Sequence, residues 1–321
     1  MSRILCALAA ALATSLGAGA ATLPASAQIA PASSAPASSA PASDPNRLFA
    51  DSALVVRDRI SVEVVGAGPD LILVPGLECS RQVWKHTAER LRTRYRLHLV
   101  QVAGFAGAPA AGNATGRVVE PTAEAIDAYI VEAGLAPAVY IGHSLGGTMG
   151  LFIAEHHPEH LKKVLLVDSL PFFGVLMGGP AATSESVKPM ADRMEAMMSA
   201  PAGANSDPTS FLTTMVKDPD GLKTVVVWAK ASDRSVSGRA MADDMTLDLR
   251  AGLAAMQTPV TLLYPFDAAA GVPVAQWDGL YDSQFQAAPH KALVRIDDAR
   301  HFIMYDQPAK FDMAVDAFLA G

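Results

Sequence analysis

One serine stands between glycines in the segment from Gly142 to Gly146, which reads Gly-His-Ser-Leu-Gly. The residues before it, from Ala138, are β-forming, and those after it follow a helical pattern. Such a tight strand-to-helix turn strains the backbone of the serine, and glycines two positions to either side remove Cβ atoms that would clash. The segment predicts that Ser144 is a nucleophile presented at the N-terminus of the next helix, where negative charge is favoured. The alternative is a glycine-rich junction without chemistry.

A serine hydroxyl needs a neighbouring base to act as a nucleophile at neutral pH. His301 follows the last predicted strand and precedes the last predicted helix, so it should lie at the same sheet edge as Ser144. We expect His301 to be this base. His143 lies inside the turn and is expected to point elsewhere. Three further histidines are expected on the surface at a helix end rather than around a metal: His156, His157 and His160.

The histidine in turn needs an acid that fixes its tautomer and stabilises the imidazolium. Asp267 ends a late predicted strand and precedes the histidine in the chain, so it is the preferred acid. Asp168, at the end of the preceding core strand, is the rival because it can reach the same histidine. Three other aspartates are weaker candidates, with solvated loop or helix positions as the alternative: Asp278, Asp282 and Asp298.

Acyl transfer also needs two backbone N–H groups directed at the developing oxyanion. The residue after the nucleophile, Leu145, should supply one, and Leu77, in the loop after the apolar strand 71–74, should supply the other. The candidate substrate-binding residues are Trp84, Phe172 and Met177. Their alternative role is packing in the core or between a cap and the body.

From Leu48 onward, strand-like and helix-like patterns alternate along the chain. This alternation predicts an α/β fold with about eight strands in a mostly parallel sheet and helices on both faces. The segment from 171 to about 236 breaks the rhythm, because it has no convincing strand and is rich in methionine. We expect it to be a helical cap, inserted after the sixth strand, over the edge of the sheet where open α/β folds bind ligands.

At these residues the chain resembles the α/β-hydrolase superfamily over essentially all of 48–321. The resemblance is carried by VPGLECSRQVW at the oxyanion loop, GFAG at 104–107, GHSLGG at the turn, PFD at 265–267 and RHFIMYDQP around His301. Two departures stand out. Pro75-Gly76 replaces the usual His-Gly, which removes a side chain that often braces the loop, and no glycine precedes Asp267 in the usual pattern.

The resemblance implies hydrolysis of a carboxylic ester, a small-molecule substrate, through an acyl-enzyme formed on Ser144. It implies no metal and no organic cofactor. Other activities on the same three residues stay open: a proline iminopeptidase type of aminopeptidase, a lactonase or a thioesterase. The aminopeptidase would need an acidic cap group for the substrate amine, and Glu185, Glu195 and Asp207 are available there. From a different class, a ligand-binding receptor without turnover is a further alternative.

The first 27 of the 321 residues combine Arg3, an apolar run and an Ala-Ser-Ala site, which is typical of a secretory signal peptide. Residues 28–46 form a Pro/Ala/Ser-rich segment expected to be a disordered linker, and 47–321 the hydrolase domain. We therefore expect export to the periplasm or medium, without a stable membrane anchor. The formal charge of −7 argues against nucleic acid as a partner, and Cys79 alone remains after cleavage, so no internal disulfide can form.

Overall fold

The computed structural model describes residues 44–201, 203 and 207–321. An eight-stranded sheet runs through it in the order β1-β2-β4-β3-β5-β6-β7-β8. The strands are β1 (Ala53–Val56), β2 (Ile60–Gly66), β3 (Asp70–Val74), β4 (Arg96–Val102), β5 (Ala138–His143), β6 (Leu161–Val167), β7 (Val260–Phe266) and β8 (Lys291–Asp297). The pairs β1/β2 and β2/β4 are antiparallel, and all others are parallel. The predicted fold class is confirmed.

Eleven α-helices accompany the sheet in the described part of the chain. They are α1 (Lys85–Leu91), α2 (Val119–Glu132), α3 (Leu145–His156), α4 (Val175–Gly178), α5 (Ser184–Ser199), α6 (Thr209–Leu212), α7 (Pro219–Ala231), α8 (Arg234–Thr246), α9 (Val274–Phe285), α10 (Ile303–Asp306) and α11 (Pro308–Ala320). Short 3-10 turns lie at Arg81–Trp84, Ala111–Asn113, Pro158–His160, Leu253–Ala255 and Ala268–Ala270.

The central strands are apolar on both faces, as interior strands of a parallel sheet must be. Along β3, Leu71 and Leu73 pack in one hydrophobic cluster, whereas Ile72 and Val74 pack in the other. One cluster contains side chains of α2 and α3, and the other contains side chains of α1 and α11. Helices therefore cover both faces and leave the carboxyl ends of the strands as the open edge.

The helical cap lies between β6 and β7, as predicted, and comprises α4 to α8. It is longer than the predicted range, because α8 continues to Thr246. Helices α5 and α8 pack together through a small cluster of their own, formed by Ala191, Met194, Ala242 and Met245. Several cap methionines thus serve the packing of the cap itself.

The predicted signal peptide, 1–27, lies outside the described residues, as does 28–43 of the predicted linker. The end of that linker packs on the domain, contrary to prediction. Asn46 donates a hydrogen bond to the carbonyl of Ala106 (3.1 Å), and Asp44 pairs with the buried Arg81 (3.2 Å). Among the residues that the structure describes, no helix is both long and apolar enough to cross a membrane.

Candidate active site

Ser144 lies at the sharp turn between β5 and α3, with φ 53° and ψ −123°. This left-handed φ is costly for a serine and survives only where the surroundings enforce it. A Cβ atom on Gly142 would lie 2.3 Å from the carbonyl oxygen of Gly146, and one on Gly146 would lie 2.5 Å from that of Val74. Neither position tolerates a side chain, so the predicted reason for both glycines is confirmed.

The loop after β3 passes directly beside Ser144. A Cβ atom built on Gly76 would lie 3.0 Å from Cβ of Ser144. The next residue, Leu77, has a backbone N–H without a hydrogen-bond acceptor among the described residues. Leu145 is the first residue of α3, so its N–H has no intrahelical acceptor either. Two free donors therefore flank the turn that carries Ser144.

A buried glutamine braces this loop. Gln101, on β4, accepts a hydrogen bond from the amide of Arg81 (2.8 Å) and donates to the carbonyl oxygens of Cys79 and Phe105 (3.2 Å each). Gln101 therefore links the loop after β3 to β4 and to the turn at Phe105. These hydrogen bonds restrain the backbone of the loop that passes beside Ser144.

His301 lies in the loop between β8 and α10, and its Nδ1 is 2.6 Å from Oδ2 of Asp168. Asp168 directly follows β6, the strand next to β5 in the sheet, and its amide continues the ladder to Leu263 (2.8 Å). Both side chains are largely buried. A carboxylate at Nδ1 leaves Nε2 of the imidazole as the nitrogen available for proton transfer.

Asp267 was the preferred acid, and the structure does not bring it to the histidine. Its carboxylate accepts hydrogen bonds from Arg300 Nε (2.9 Å) and Lys217 Nζ (3.2 Å) and from the amide of Ala269 (3.2 Å). Although burial acts to raise the pKa of Asp267, these hydrogen bonds lower it overall. Arg300, the neighbour of His301 in the chain, thus occupies the carboxylate, and the rival Asp168 has the contact.

Asp168 has a second partner that the sequence did not reveal. Tyr281, on α9, donates its hydroxyl to Oδ1 of Asp168 (2.8 Å). Burial, together with the neighbouring Asp168, raises the pKa of Tyr281 well above its usual value, so it remains a neutral donor. Its ring stacks on Tyr264 at 4.4 Å. Asp168 is therefore held from two sides, by Tyr281 and by His301.

His143 was expected to point away from the site, and this prediction is wrong. It packs against His301, the candidate base. The two imidazole centroids are 4.6 Å apart, and Nε2 of His143 lies 3.2 Å from the carbonyl oxygen of His301. Burial, reinforced by the charge of His301, lowers the pKa of His143 well below its usual value. His143 is thus a neutral group that ties the histidine loop to the turn at Ser144.

The contact between the turn and His301 does not extend to a closed serine–histidine hydrogen bond. In the part of the chain that the structure describes, Oγ of Ser144 takes part in no hydrogen bond. Such bonds are often long without substrate and tighten in the complex. The structure brings together Ser144, His301 and Asp168 at one rim of the sheet and leaves Asp267 outside this group.

Helix α8 of the cap crosses above this rim and is anchored at both ends. At its start, the amide of Asp233 donates to the carbonyl of Gly104 (2.7 Å). Near its end, Asp243 accepts hydrogen bonds from the amides of Val118 (2.6 Å) and Val119 (3.2 Å). The helix is therefore fixed to the GFAG loop and to the start of α2.

Two carboxyl groups that the sequence does not single out, Asp244 and Glu78, lie between α8 and the body. Burial raises the pKa of Asp244 to about 7, although the hydroxyl of Thr148 and the charge of His301 oppose the shift. Its Oδ1 is buried and has no hydrogen-bond partner within the described ranges. Glu78, next to Leu77 and at φ 59°, also has a raised pKa, because burial outweighs Ser237 and Arg234. Burial thus raises the pKa of both carboxyl groups that lie between α8 and the body.

Replacing Asp244 by asparagine should make stability less dependent on pH. A carboxyl with a raised native pKa stays protonated in the native state after the unfolded chain has ionised, so wild-type stability falls between about pH 4 and 7, by up to about 1.4 kcal/mol per unit. Asp244→Asn has no proton to lose there. Urea midpoints should therefore differ little at pH 4 and favour the variant increasingly toward pH 8.

Asp192→Asn is the matched control, because Asp192 lies exposed on α5 and pairs only with Lys188 (2.7 Å) among the described residues. It should keep the wild-type dependence on pH. Parallel curves for wild type and Asp244→Asn from pH 4 to 8 would show that the Asp244 carboxyl is not buried as described.

The three candidate substrate-binding residues are buried or partly buried in hydrophobic clusters. Trp84 is fully buried and stacks on Phe311 of α11 (6.4 Å), which is the position expected for the alternative role of core packing. Phe172 is also fully buried, with the guanidinium of Arg250 4.5 Å from its ring centroid. Met177 is partly buried and packs against the cluster between α5 and α8. Core packing, the alternative role, therefore applies to Trp84 and Phe172.

Comparison with known proteins gives the following matches. The model of a family described as the Alpha/beta hydrolase family matches residues 71–314. A pimeloyl-[acyl-carrier protein] methyl ester esterase of Aeromonas hydrophila is 37% identical over 114 residues, which are 36% of this chain and 43% of that protein. The enzyme of the same name from Vibrio vulnificus is 32% identical over 108 residues, 34% of this chain and 40% of that protein. The chain thus matches less than half the length of these curated relatives.

Solved structures agree with the fold. A hydrolase from Pseudomonas aeruginosa superposes with a TM-score of 0.68 at 18% identity, covering 85% of this chain and 99% of that one. An enol-lactonase from Burkholderia xenovorans gives a TM-score of 0.64 at 18% identity, covering 82% of this chain and 96% of that one. At this identity the likeness concerns the fold alone.

Proposed function

Because the chain belongs to the alpha/beta hydrolase family, we propose that it is a serine hydrolase that cleaves carboxylic esters through an acyl-enzyme. The observation that carries the proposal is the 2.6 Å contact between Nδ1 of His301 and Asp168, beside a serine at φ 53°. The partial similarity to methyl ester esterases supports an ester as substrate. A small-molecule ester is the proposed substrate class.

In the proposed reaction, Ser144 Oγ attacks the ester carbonyl carbon while Nε2 of His301 accepts its proton. Asp168 stabilises the resulting imidazolium and holds the ring in place. The N–H groups of Leu77 and Leu145 bind the tetrahedral oxyanion, with help from the N-terminus of α3. His301 then protonates the leaving alcohol, and a water activated by the same histidine releases the acid and restores Ser144.

The proposal is tested with a panel of p-nitrophenyl esters of increasing acyl length and a matched panel of amino-acyl anilides. We expect turnover of esters, with a maximum at one acyl length set by the room under α8. Labelling by a fluorophosphonate probe should accompany it. Cleavage of the anilides alone, or no reaction with the probe, would contradict the proposal, the latter in favour of a non-catalytic receptor.

An aminopeptidase is the second candidate, because one observation favours it. Asp244 and Glu78 lie between α8 and the body, and although burial raises the pKa of both, a substrate ammonium beside either would favour its ionised form and pair with it. Of the three cap acids named from the sequence, Glu185 and Asp207 are exposed and Glu195 is partly buried. If Asp244→Asn lost anilide cleavage while retaining ester cleavage, the amine-binding role would be supported.

We also propose that the protein is exported, on the leader-like pattern of residues 1–27. N-terminal sequencing of protein recovered from outside the cytoplasm should then begin at Gln28. Recovery of the full-length chain from the cytoplasm alone would refute export.

A further inference from the structure

A second cluster of chemical groups lies at the far end of the helix that starts at the nucleophile. Helix α3 has 12 residues, so at about 1.5 Å each its ends are roughly 18 Å apart. His157 follows its last turn, and His160 ends the 3-10 turn Pro158–His160. Both face Asp127, on α2. The cluster is therefore separate from the reaction site.

The donor atoms of this cluster converge. Nδ1 of His160 lies 2.8 Å from Oδ1 of Asp127, and Nε2 of His157 lies 3.9 Å from Oδ2. One ligand atom from each of the three residues lies within 4.8 Å of the other two. Glu124, three residues before Asp127 on α2, adds Oε2 at 3.1 Å from Nε2 of His157. Three side chains thus direct two imidazole nitrogens and one carboxylate toward one volume, and Glu124 lies beside it through its contact with His157.

Burial and access are suited to an exchangeable ion. Asp127 is almost fully buried, so its carboxylate is fixed, whereas His157 and His160 remain partly exposed and can open to admit an ion. The two imidazoles stack in parallel, 5.6 Å between centroids and 10° between planes. His156 takes no part, because its ring stacks on Phe152 and its Nδ1 bonds to the Phe152 carbonyl.

The separations are close to those of a metal site. Zinc bonds of about 2.0–2.2 Å in tetrahedral geometry place neighbouring ligand atoms about 3.3 Å apart. The measured separations, 2.8, 3.1 and 3.9 Å, lie around that value. With small side-chain rotations, one ion could take the place of the protons that now join each imidazole to a carboxylate. The carbonyl-rich C-terminus of α3 adds negative potential that favours a cation.

We propose that Asp127, His157 and His160, with Glu124 completing the set from beside His157, form a binding site for one divalent transition-metal ion. Imidazole together with carboxylate suits Zn²⁺, Ni²⁺ or Cu²⁺ and disfavours Mg²⁺, which prefers oxygen and water ligands. The ion would join α2 to the end of α3 and act on stability, not on ester cleavage. This proposal departs from the sequence-based expectation, in which these histidines lie on the surface without a metal.

The test uses the untagged full chain, stripped with a chelator, and isothermal titration with ZnCl₂ and separately with MgCl₂ at pH 7.5. We expect one Zn²⁺ per chain at micromolar affinity, a raised Tm with Zn²⁺, and no shift with Mg²⁺. The double variant His157→Ala/His160→Ala should lose saturable binding, and Asp127→Asn should weaken it at least about tenfold.

His86→Ala is the matched control, because His86 also contacts a carboxylate, Asp312 at 2.8 Å, outside the cluster. It should bind Zn²⁺ like the wild type. Circular dichroism verifies that each variant is folded, and Glu124→Gln, on the exposed side of α2, gives a second measure should the double variant not fold. Absence of stoichiometric binding in the wild type, or unchanged affinity in the folded cluster variants, would overturn the site.

Discussion

Ser144→Ala should abolish ester hydrolysis, lowering kcat/KM by at least about three orders of magnitude. In the proposed mechanism the variant loses the atom that attacks the carbonyl. What remains is the contribution of the oxyanion donors and of binding, which falls far short of the complete site. Stopped-time assays with the best p-nitrophenyl ester measure the loss, and fluorophosphonate labelling should disappear with it.

The fold should tolerate this change. Oγ of Ser144 makes no hydrogen bond to any described residue, so its removal leaves no partner unsatisfied. Alanine at φ 53° bears the same strain as serine, and the Tm should stay within a few degrees of the wild type. Ser283→Ala, on α9 with a local bond to Leu280 (2.7 Å), is the matched control and should keep full activity. More than a tenth of the activity in Ser144→Ala would exclude it as nucleophile.

The turn around Ser144 was predictable because its signal is local. Three features act within a few residues of one another: the backbone strain, the close glycine contacts and the change from β to helical periodicity. One short segment of sequence is therefore enough to predict the turn. The same holds for the central strands, because an uninterrupted apolar run indicates a strand that is buried on both faces. The edge strand β1 was not recognised, since four partly exposed residues carry little pattern.

The partner of His301 was not predictable from the local sequence pattern, because it depends on tertiary contacts. Arg300 and Lys217 bind one aspartate, Asp267, and leave the other, Asp168, to His301. Asp168 and Asp267 both end core strands at the same edge of the sheet, and either precedes His301 in the chain. Arg300 turns toward Asp267, and Lys217 arrives there from the cap. No spacing rule encodes which of two adjacent side chains, Arg300 or His301, turns to which carboxylate.

The roles of Asp244, Glu78 and Tyr281 depend on tertiary packing in the same way. An aspartate in a helix of mixed composition reads as a solvated residue until α8 is known to lie across the site. The histidines at 157 and 160 are a further case. The sequence predicts surface positions for them without a metal, because the carboxylate that both imidazoles face, that of Asp127, comes from α2, far earlier in the chain.

Asp168→Asn should lower kcat/KM by about two to four orders of magnitude, whereas Asp267→Asn should cost less than about tenfold. An amide at position 168 can donate to Nδ1 of His301 and favour the tautomer that cannot accept the serine proton. It also no longer stabilises the imidazolium. Asp267 touches Arg300, Lys217 and Ala269, so its replacement changes the cap and loop contacts and not the base.

The two variants separate catalysis from stability. Asp267→Asn weakens the link from Arg300 and Lys217, so a lower Tm with nearly normal kcat is expected. Asp168→Asn keeps the size of the side chain and the bond from Tyr281, so a near-normal Tm with a collapsed kcat is expected. Steady-state kinetics and thermal melts on both proteins measure this crossing pattern. If Asp267→Asn instead loses catalysis and Asp168→Asn retains it, the acid preferred from the sequence acts on His301 during turnover, and the 2.6 Å contact to Asp168 has no catalytic role.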